Sequence, residues 1–128
     1  MNRLNKKIQL SRNIFLIFTW VFAISVVIQT FIAGLAIFTD YSYWSYHTTF
    51  VIWFQFIPIL LLVLSFTGRL PKLIRWQVVG LFLLIVPLQY ASIHIPGAGA
   101  IHPVIALILF WLAITVIKKV GKLNITDN

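Results

Sequence analysis

The sequence predicts an all-α integral membrane protein, an up-down bundle of four transmembrane helices. Hydrophobic residues make up 61% of the chain and charged residues only 9%, whereas soluble domains carry roughly 25% charged residues. The apolar residues form four long runs, as expected of helices that cross a hydrocarbon core of ~30 Å. The basic residues cluster at the ends of these runs. Together these observations predict one four-helix membrane domain over residues 1–128, without room for a second module.

The first predicted span covers residues 14–38 and follows a basic, amphipathic tail. At ~1.5 Å per residue, this run is long enough to cross the hydrocarbon core with some tilt. A cleaved signal peptide is the alternative, with the small residues Ala33-Gly34-Leu35-Ala36 as a candidate cleavage site. The apolar run is far longer than the ~7–15 residues of a signal core. We therefore expect a retained span.

The second predicted span covers residues 48–67 and follows a polar, aromatic segment, TDYSYWSYHTT, at positions 39–49. Tyrosine and tryptophan are enriched at membrane–water interfaces, so this segment predicts an interfacial loop. Pro58 is expected to kink the span, because proline lacks the N–H that an internal helical hydrogen bond needs. Gly68 and Pro71 predict its end.

The third and fourth predicted spans cover residues 76–94 and 102–118. Pro87 lies inside the third span, which we expect it to kink. The glycine-containing segment 96–99 predicts a loop, and His102-Pro103 predicts the start of the fourth helix, because proline is favoured in a first helical turn. Lys118 and Lys119 predict its end.

The basic residues predict the orientation of the bundle. All ten lysines and arginines fall into three groups, in the first twelve residues, between spans two and three, and after span four. Basic residues that flank spans stay in the cytoplasm, so we expect both termini to be cytoplasmic in a multi-pass plasma-membrane protein. Anionic lipids are the expected partners of these ends. The net charge of +8 forms no stripe on a soluble surface, which argues against nucleic acid.

The composition excludes several kinds of chemistry. No cysteine is present, so disulfides, thiolate metal sites and iron–sulfur clusters are excluded. Asp40 and Asp127 are the two carboxylic side chains, which leaves no material for a paired-carboxylate hydrolase or an intramembrane carboxylate relay. Any metal must be held by other ligands, and we leave open whether the protein is an enzyme.

The three histidines, His47, His94 and His102, all fall at the predicted outer ends of spans. An ionisable residue beside a membrane span is a functional-site hypothesis. His47 and His102 each occur at the outer start of an even-numbered helix, and such helices lie diagonally opposite in an up-down bundle. Two neutral imidazoles facing the interior suit a six-coordinate haem. We therefore predict a b-type haem held by His47 and His102 near the outer face.

A weak internal repeat supports this pairing. Gln29 and the small residues Ala33-Gly34 precede His47, and Gln89 precedes His102 in a similar arrangement. An axis along the membrane normal would place the two histidines at equal depth. We expect Gln29, Gln89 and Gly34 to line the haem site, with Gly34 allowing close approach of the flat macrocycle. The simpler interpretation of both glutamines is interhelical hydrogen bonding.

These features resemble those of a known group of proteins. Ala33-Gly34-Leu35 after a glutamine, a histidine opening span two and the later Gln-Tyr…His-Pro-Val-Ile-Ala segment resemble a family of small, uncharacterised four-helix bacterial membrane proteins. The layout is also similar to one half of haem A synthase, a cytochrome-b-like bundle with histidine ligands on its second and fourth helices. The resemblance implies that His47 and His102 bind haem for electron transfer or haem handling. The sequence has no counterpart of that enzyme's carboxylate or cysteine pair, so synthase activity is not implied.

Two other functions stay open at this point. A cofactor-free protein would act as an accessory, interaction or transport-associated subunit, with a redox or membrane-protein partner or as a homo-oligomer. Alternatively, His47, His94 and His102 would bind zinc or copper, since imidazole suits both metals. In the haem hypothesis His94 is a neighbouring loop residue or a substitute for His102.

Overall fold

The computed structural model describes residues 3–126, apart from the side chain of Thr126, so that Asp127 lies outside the described residues. All of the regular structure in this range is helical. The elements are α1 (Arg3–Phe38), α2 (Tyr43–Phe54), α3 (Ile57–Thr67), α4 (Lys72–Leu83), a π-helical turn (Leu84–Leu88), α5 (Gln89–His94), a 3-10 turn (Ala98–Ile101) and α6 (His102–Thr126).

These elements combine into four segments that are long and apolar enough to cross a membrane. The segments are Arg3–Phe38, Tyr43–Thr67, Lys72–His94 and Ala98–Ile125. The prediction of an all-α protein with four apolar spans is therefore confirmed for the part of the chain that the structure describes.

The spans pack in a ring, with each next to its neighbour in sequence and the first also packed against the fourth. Their shared core is apolar and includes the fully buried Phe15, Phe22, Leu61 and Leu81. Other large apolar side chains point outwards, as in Trp53 and Leu107, which are 79% and 71% exposed. In lipid such a surface costs nothing, because the surrounding hydrocarbon is as apolar as the side chains.

Four helix boundaries differ from the sequence prediction. The third span begins at Lys72 rather than at residue 76, and the fourth helix continues past Lys118 and Lys119 to Thr126 rather than ending at residue 118. The first helix begins at Arg3 rather than at residue 14, since the basic tail contains no glycine or proline to interrupt it. The second begins at Tyr43 rather than at residue 48. Asp40 sets this boundary by accepting a 2.8 Å hydrogen bond from the Ser42 N–H, which is an Asx-type turn. The same bond holds the pKa of Asp40 below its ordinary value of 3.8.

Both intramembrane prolines coincide with irregular helix geometry. The second span is interrupted between Phe54 and Ile57, and Pro58 lies in the first turn of α3. A proline there has no N–H to donate, and in a continuous helix its ring would clash with the carbonyl of Phe54. Pro87 lies inside the π-helical turn. Each proline therefore introduces a local irregularity without ending its span.

The ends of the bundle differ in charge. All ten lysines and arginines lie at one end, here called the basic end, where Arg12 Nε donates to the Gly68 carbonyl over 2.8 Å. Lys119 Nζ donates to Gln77 Oε1 over 3.3 Å at the same end. Asp40 lies at the opposite end, here called the histidine end because His47, His94 and His102 lie there. The predicted separation of charge along the bundle is present.

Candidate functional site

A cavity of about 380 Å³ lies between the spans towards the histidine end. Its size falls in the range of about 300–1,000 Å³ that is common for small-molecule sites. The lining is mostly apolar, with side chains such as Val26, Val51 and Leu109, and its polar side chains include His47 and His102. All four spans contribute to it.

The irregular helix geometry helps to form this cavity. Gln55, at the interruption of the second span, lines it, and so do Val86 and Pro87 of the π-helical turn. On one side of the cavity α2 packs against α1, while on the other α5 packs with the neighbouring turns and α6. Helical π-turns occur frequently at functional sites. The cavity thus separates the halves of the second and third spans that lie towards the histidine end.

His47 and His102 face each other across the cavity. Their ring centres are 6.2 Å apart, and the ring planes are inclined by 50°. Both residues are half-buried, His47 in the first turns of α2 and His102 at the start of α6. The structure therefore brings together the two histidines that the sequence prediction paired.

The orientation of His47 is set by a neighbouring glutamine. His47 Nδ1 lies 3.2 Å from the backbone carbonyl of Gln29, and Gln29 Nε2 donates to the His47 carbonyl over 2.7 Å. A carbonyl can only accept, so Nδ1 carries the hydrogen and Nε2 of the neutral ring keeps its lone pair. The first span thereby fixes the orientation of the His47 ring.

His102 is held in an equivalent way from the third span. Its Nδ1 lies 3.1 Å from Ser92 Oγ, and Ser92 Oγ donates its hydrogen to the Gln89 carbonyl over 2.7 Å. When Ser92 donates its one hydrogen to the Gln89 carbonyl, its oxygen accepts from Nδ1–H of His102. In that arrangement Nε2 of a neutral His102 is the lone-pair nitrogen, which is the same tautomer as that of His47.

The two glutamines also supply acceptors to the cavity. Gln29 and Gln89 both line it, and their Oε1 atoms are buried without a hydrogen-bond partner among residues 3–126. A buried unpaired acceptor costs about 1–3 kcal/mol. These atoms are available to hydrogen-bond donors on a bound molecule, in a lining that is otherwise apolar. Gln29 also makes the interhelical hydrogen bond that the simpler interpretation predicts.

Gly34 and His94 lie away from the paired histidines. Gly34 does not line the cavity, and a Cβ atom there would meet nothing within 4 Å, so the structure gives it no role in close approach. His94 is exposed, with Nδ1 2.7 Å from the Tyr90 carbonyl and its ring stacked on Tyr90 at 4.0 Å. No group of three histidine, aspartate or glutamate side chains within 3–126 could hold a metal ion. The three-histidine arrangement is thus not assembled.

Ser92 is the contact that the sequence interpretation missed. It is 5% exposed and connects His102 to Gln89. The signal in the sequence was its position three residues after Gln89, which places both residues on one helix face. Which helix that face would meet is a matter of tertiary packing.

The comparison with protein families gives one match. The family of unknown function DUF6220 matches residues 29–95, which is just over half of the chain. The chain belongs to this family. The matched region of this family member contains the Gln29–His47 pair together with Gln89 and Ser92, and it ends before His102. Comparisons with curated proteins and with solved structures give no match. None of these comparisons shows the resemblance to haem A synthase.

Proposed function

We propose that this chain is an integral membrane protein that holds a b-type haem between His47 and His102, for electron transfer or haem handling. The observation that supports it most is the 6.2 Å separation of the two ring centres across the cavity. Metal–imidazole bonds are about 2.0–2.1 Å long. A ring centre lies about 1.1 Å from each nitrogen, given ring bonds of about 1.33 Å. Two imidazoles on opposite sides of one iron should therefore have centres roughly 6.3 Å apart.

The tautomers support the same proposal. Metal-binding histidines generally donate their other ring N–H to a carbonyl, carboxylate or water, which orients the ring and raises ligand basicity. His47 does this with the Gln29 carbonyl, and His102 does it with Ser92. Both Nε2 atoms are therefore ready to bind a metal without loss of a proton.

The chemistry of the proposed site follows from its surroundings. A haem supplies one-electron redox chemistry, whose potential depends on axial ligands, hydrogen bonding and burial. His47 and His102 would hold the haem iron, and the apolar lining would restrict water around the group. Gln29 and Ser92 would hold the ligand rings in place.

Membrane orientation is part of the proposal. The ten basic side chains at one end favour a cytoplasmic position for that end, following the positive-inside rule. Both termini would then be cytoplasmic in a plasma-membrane protein, and the haem would lie near the outer face. The Gln29 carbonyl orients His47, and Ser92, which bonds to the Gln89 carbonyl, orients His102. These similar contacts support a two-fold internal repeat about the membrane normal.

The test is the absorption spectrum of the purified wild-type protein. Protein from haem-supplied cells should show a low-spin b-type reduced-minus-oxidised spectrum, with about one haem per chain in a pyridine haemochrome assay. Helical folding would be checked by circular dichroism. A folded protein without Soret absorption would contradict the proposal. Zinc or copper analysis of that sample would then test metal binding by the same histidines, and a metal-free sample would favour the accessory or transport-associated role.

Ser92→Ala is expected to weaken haem binding without changing the type of ligation. The substitution removes the hydroxyl that accepts from His102 Nδ1–H, and loss of such partners typically costs 10–100-fold in metal affinity. We expect a loss of about 10-fold, at the lower end of that range, measured by transfer of haem to apomyoglobin. Ser45→Ala is the control, because Ser45 is exposed and its hydroxyl donates to the Ser42 carbonyl, away from the cavity. Equal haem retention in both variants would contradict the role of Ser92.

A further inference from the structure

A groove of about 500 Å³ lies at the basic end, between the first turns of α1 and the turn that joins α3 to α4. Leu4, Ile8 and Phe66 contribute apolar surface, and Lys7 and Arg69 add two cations. This groove is far from the histidine pair, because it lies at the opposite end of the bundle. An occupant would meet both positive charge and hydrocarbon.

Among residues 3–126, the cationic side chains of this groove have no counterion. Lys7 and Arg69 are exposed, and their side chains have no hydrogen-bond or ion-pair partner in that range. In the same range the one carboxylic side chain is Asp40, at the other end of the bundle. An anion from outside residues 3–126 is therefore the complementary partner for this surface.

The backbone at Arg69 points to a role for its side chain. Arg69 has a φ of 49°, in the left-handed region where glycine is the favoured residue. Gly68 directly precedes it but has a φ of −80°. Gly68 instead allows Arg12 to pack closely, because a Cβ atom at position 68 would lie 3.1 Å from Arg12 Cγ. The left-handed position thus falls on an arginine, although a second glycine would fit the turn with less strain.

The groove lies beside the start of the apolar run of the first span, which predicts that it is at the depth of lipid headgroups. Ile8 and Leu10 precede the apolar run by at most about two helical turns. Leu10, Ile17 and Phe66 are 58%, 60% and 56% exposed, so apolar surface continues from the groove along the spans. Leu10 and Ile17 lie seven residues apart and share one helix face. The acyl chain of a lipid would cover this apolar surface, whereas a free phosphate ion would not.

We propose that this groove binds an anionic phospholipid, with the phosphate between Lys7 and Arg69 and an acyl chain against Phe66 and the exposed face of α1. The proposal goes beyond haem binding and does not depend on it. Basic pockets beside transmembrane helices are known to bind anionic headgroups, and the present site adds an arginine held in a conformation that glycine would prefer.

The test is lipid binding to purified full-length protein by native mass spectrometry, with phosphatidylglycerol compared with phosphatidylcholine. We expect preference for phosphatidylglycerol, a fall of about fivefold in affinity for Lys7→Gln or Arg69→Gln, and roughly thirtyfold for the double variant. Lys118→Gln is the charge-matched control, since Lys118 is exposed at the same end but outside the groove. An equal loss in the control would overturn the proposal in favour of diffuse surface charge.

Two further measurements distinguish a bound lipid from a free anion and from a purely structural arginine. Inorganic phosphate should compete poorly; full displacement of phosphatidylglycerol at millimolar phosphate would identify a free-anion site and overturn the lipid assignment. Arg69→Gly should raise thermal stability in lipid-free detergent while reducing phosphatidylglycerol binding, because it relieves the left-handed φ and removes the cation. A fall in lipid-free stability would show that Arg69 is structural, contrary to the proposal.

Discussion

Replacing either His47 or His102 with alanine is expected to abolish the low-spin haem spectrum of the purified protein. Six-coordinate ligation needs both imidazoles, and each variant leaves one side of the iron without its protein ligand. The expected loss of haem affinity exceeds about 100-fold, since changes in residues that only orient a ligand already cost 10–100-fold. Absorption spectra and haem content per chain measure this effect.

His94→Ala is the matched control for these substitutions. His94 lies at the same end of the bundle, but its ring stacks on Tyr90 and its Nδ1 bonds to the Tyr90 carbonyl. The variant should keep wild-type haem content and spectrum. If His94→Ala lost the haem while His102→Ala kept it, the ligand assignment would be wrong. Circular dichroism of all three variants would separate loss of ligation from loss of folding.

The second large effect is expected from Phe22→Ala, which should destabilise the bundle by about 3 kcal/mol or more. Phe22 is fully buried in α1 and packs edge-to-face on Phe54, with ring centres 5.8 Å apart. Truncation would leave a void beside the cavity floor, because Phe54 itself lines the cavity. Lost packing dominates this cost in a membrane, where burial brings no hydrophobic gain between helices. Unfolding in mixed detergent micelles measures it.

Phe31→Ala provides the comparison on the same helix. Phe31 is 66% exposed and faces outwards, so its removal should change the free energy of unfolding by less than about 0.5 kcal/mol. Similar destabilisation by both substitutions would indicate that Phe31 is covered by a partner, such as a second copy of the chain. The larger effect predicted for Phe22→Ala than for Phe31→Ala would then be wrong.

The two proposed sites can fail independently. The haem site depends on the histidine end, whereas the lipid groove depends on Lys7 and Arg69 at the basic end. A colourless but folded protein that still prefers phosphatidylglycerol would remove the first proposal and keep the second. A haem protein without lipid preference would do the reverse. This separation follows from the length of the bundle, which places the two sites at its opposite ends.

The number of spans and the position of the charges followed from the sequence alone. Apolar runs such as 14–38 define helices that satisfy their own backbone hydrogen bonds, so their existence does not depend on packing partners. The start of α6 at His102 was also predicted correctly, because proline is favoured in the first turn of a helix and Pro103 directly follows His102. Helix extensions were missed at four places, the starts at Arg3, Tyr43 and Lys72 and the end at Thr126, since no proline separates these segments from the predicted spans.

Contacts between helices were decided by the tertiary structure. The sequence supported the pairing of His47 with His102, but the 6.2 Å separation of their rings depends on how α2 and α6 are rotated and spaced. The bond from His102 to Ser92, the displacement of Gly34 from the cavity and the left-handed backbone at Arg69 likewise depend on neighbouring helices. Hydropathy and charge can be read from the sequence of a single helix. The direction in which a side chain points and the closeness of two backbones depend on the helices that pack against it.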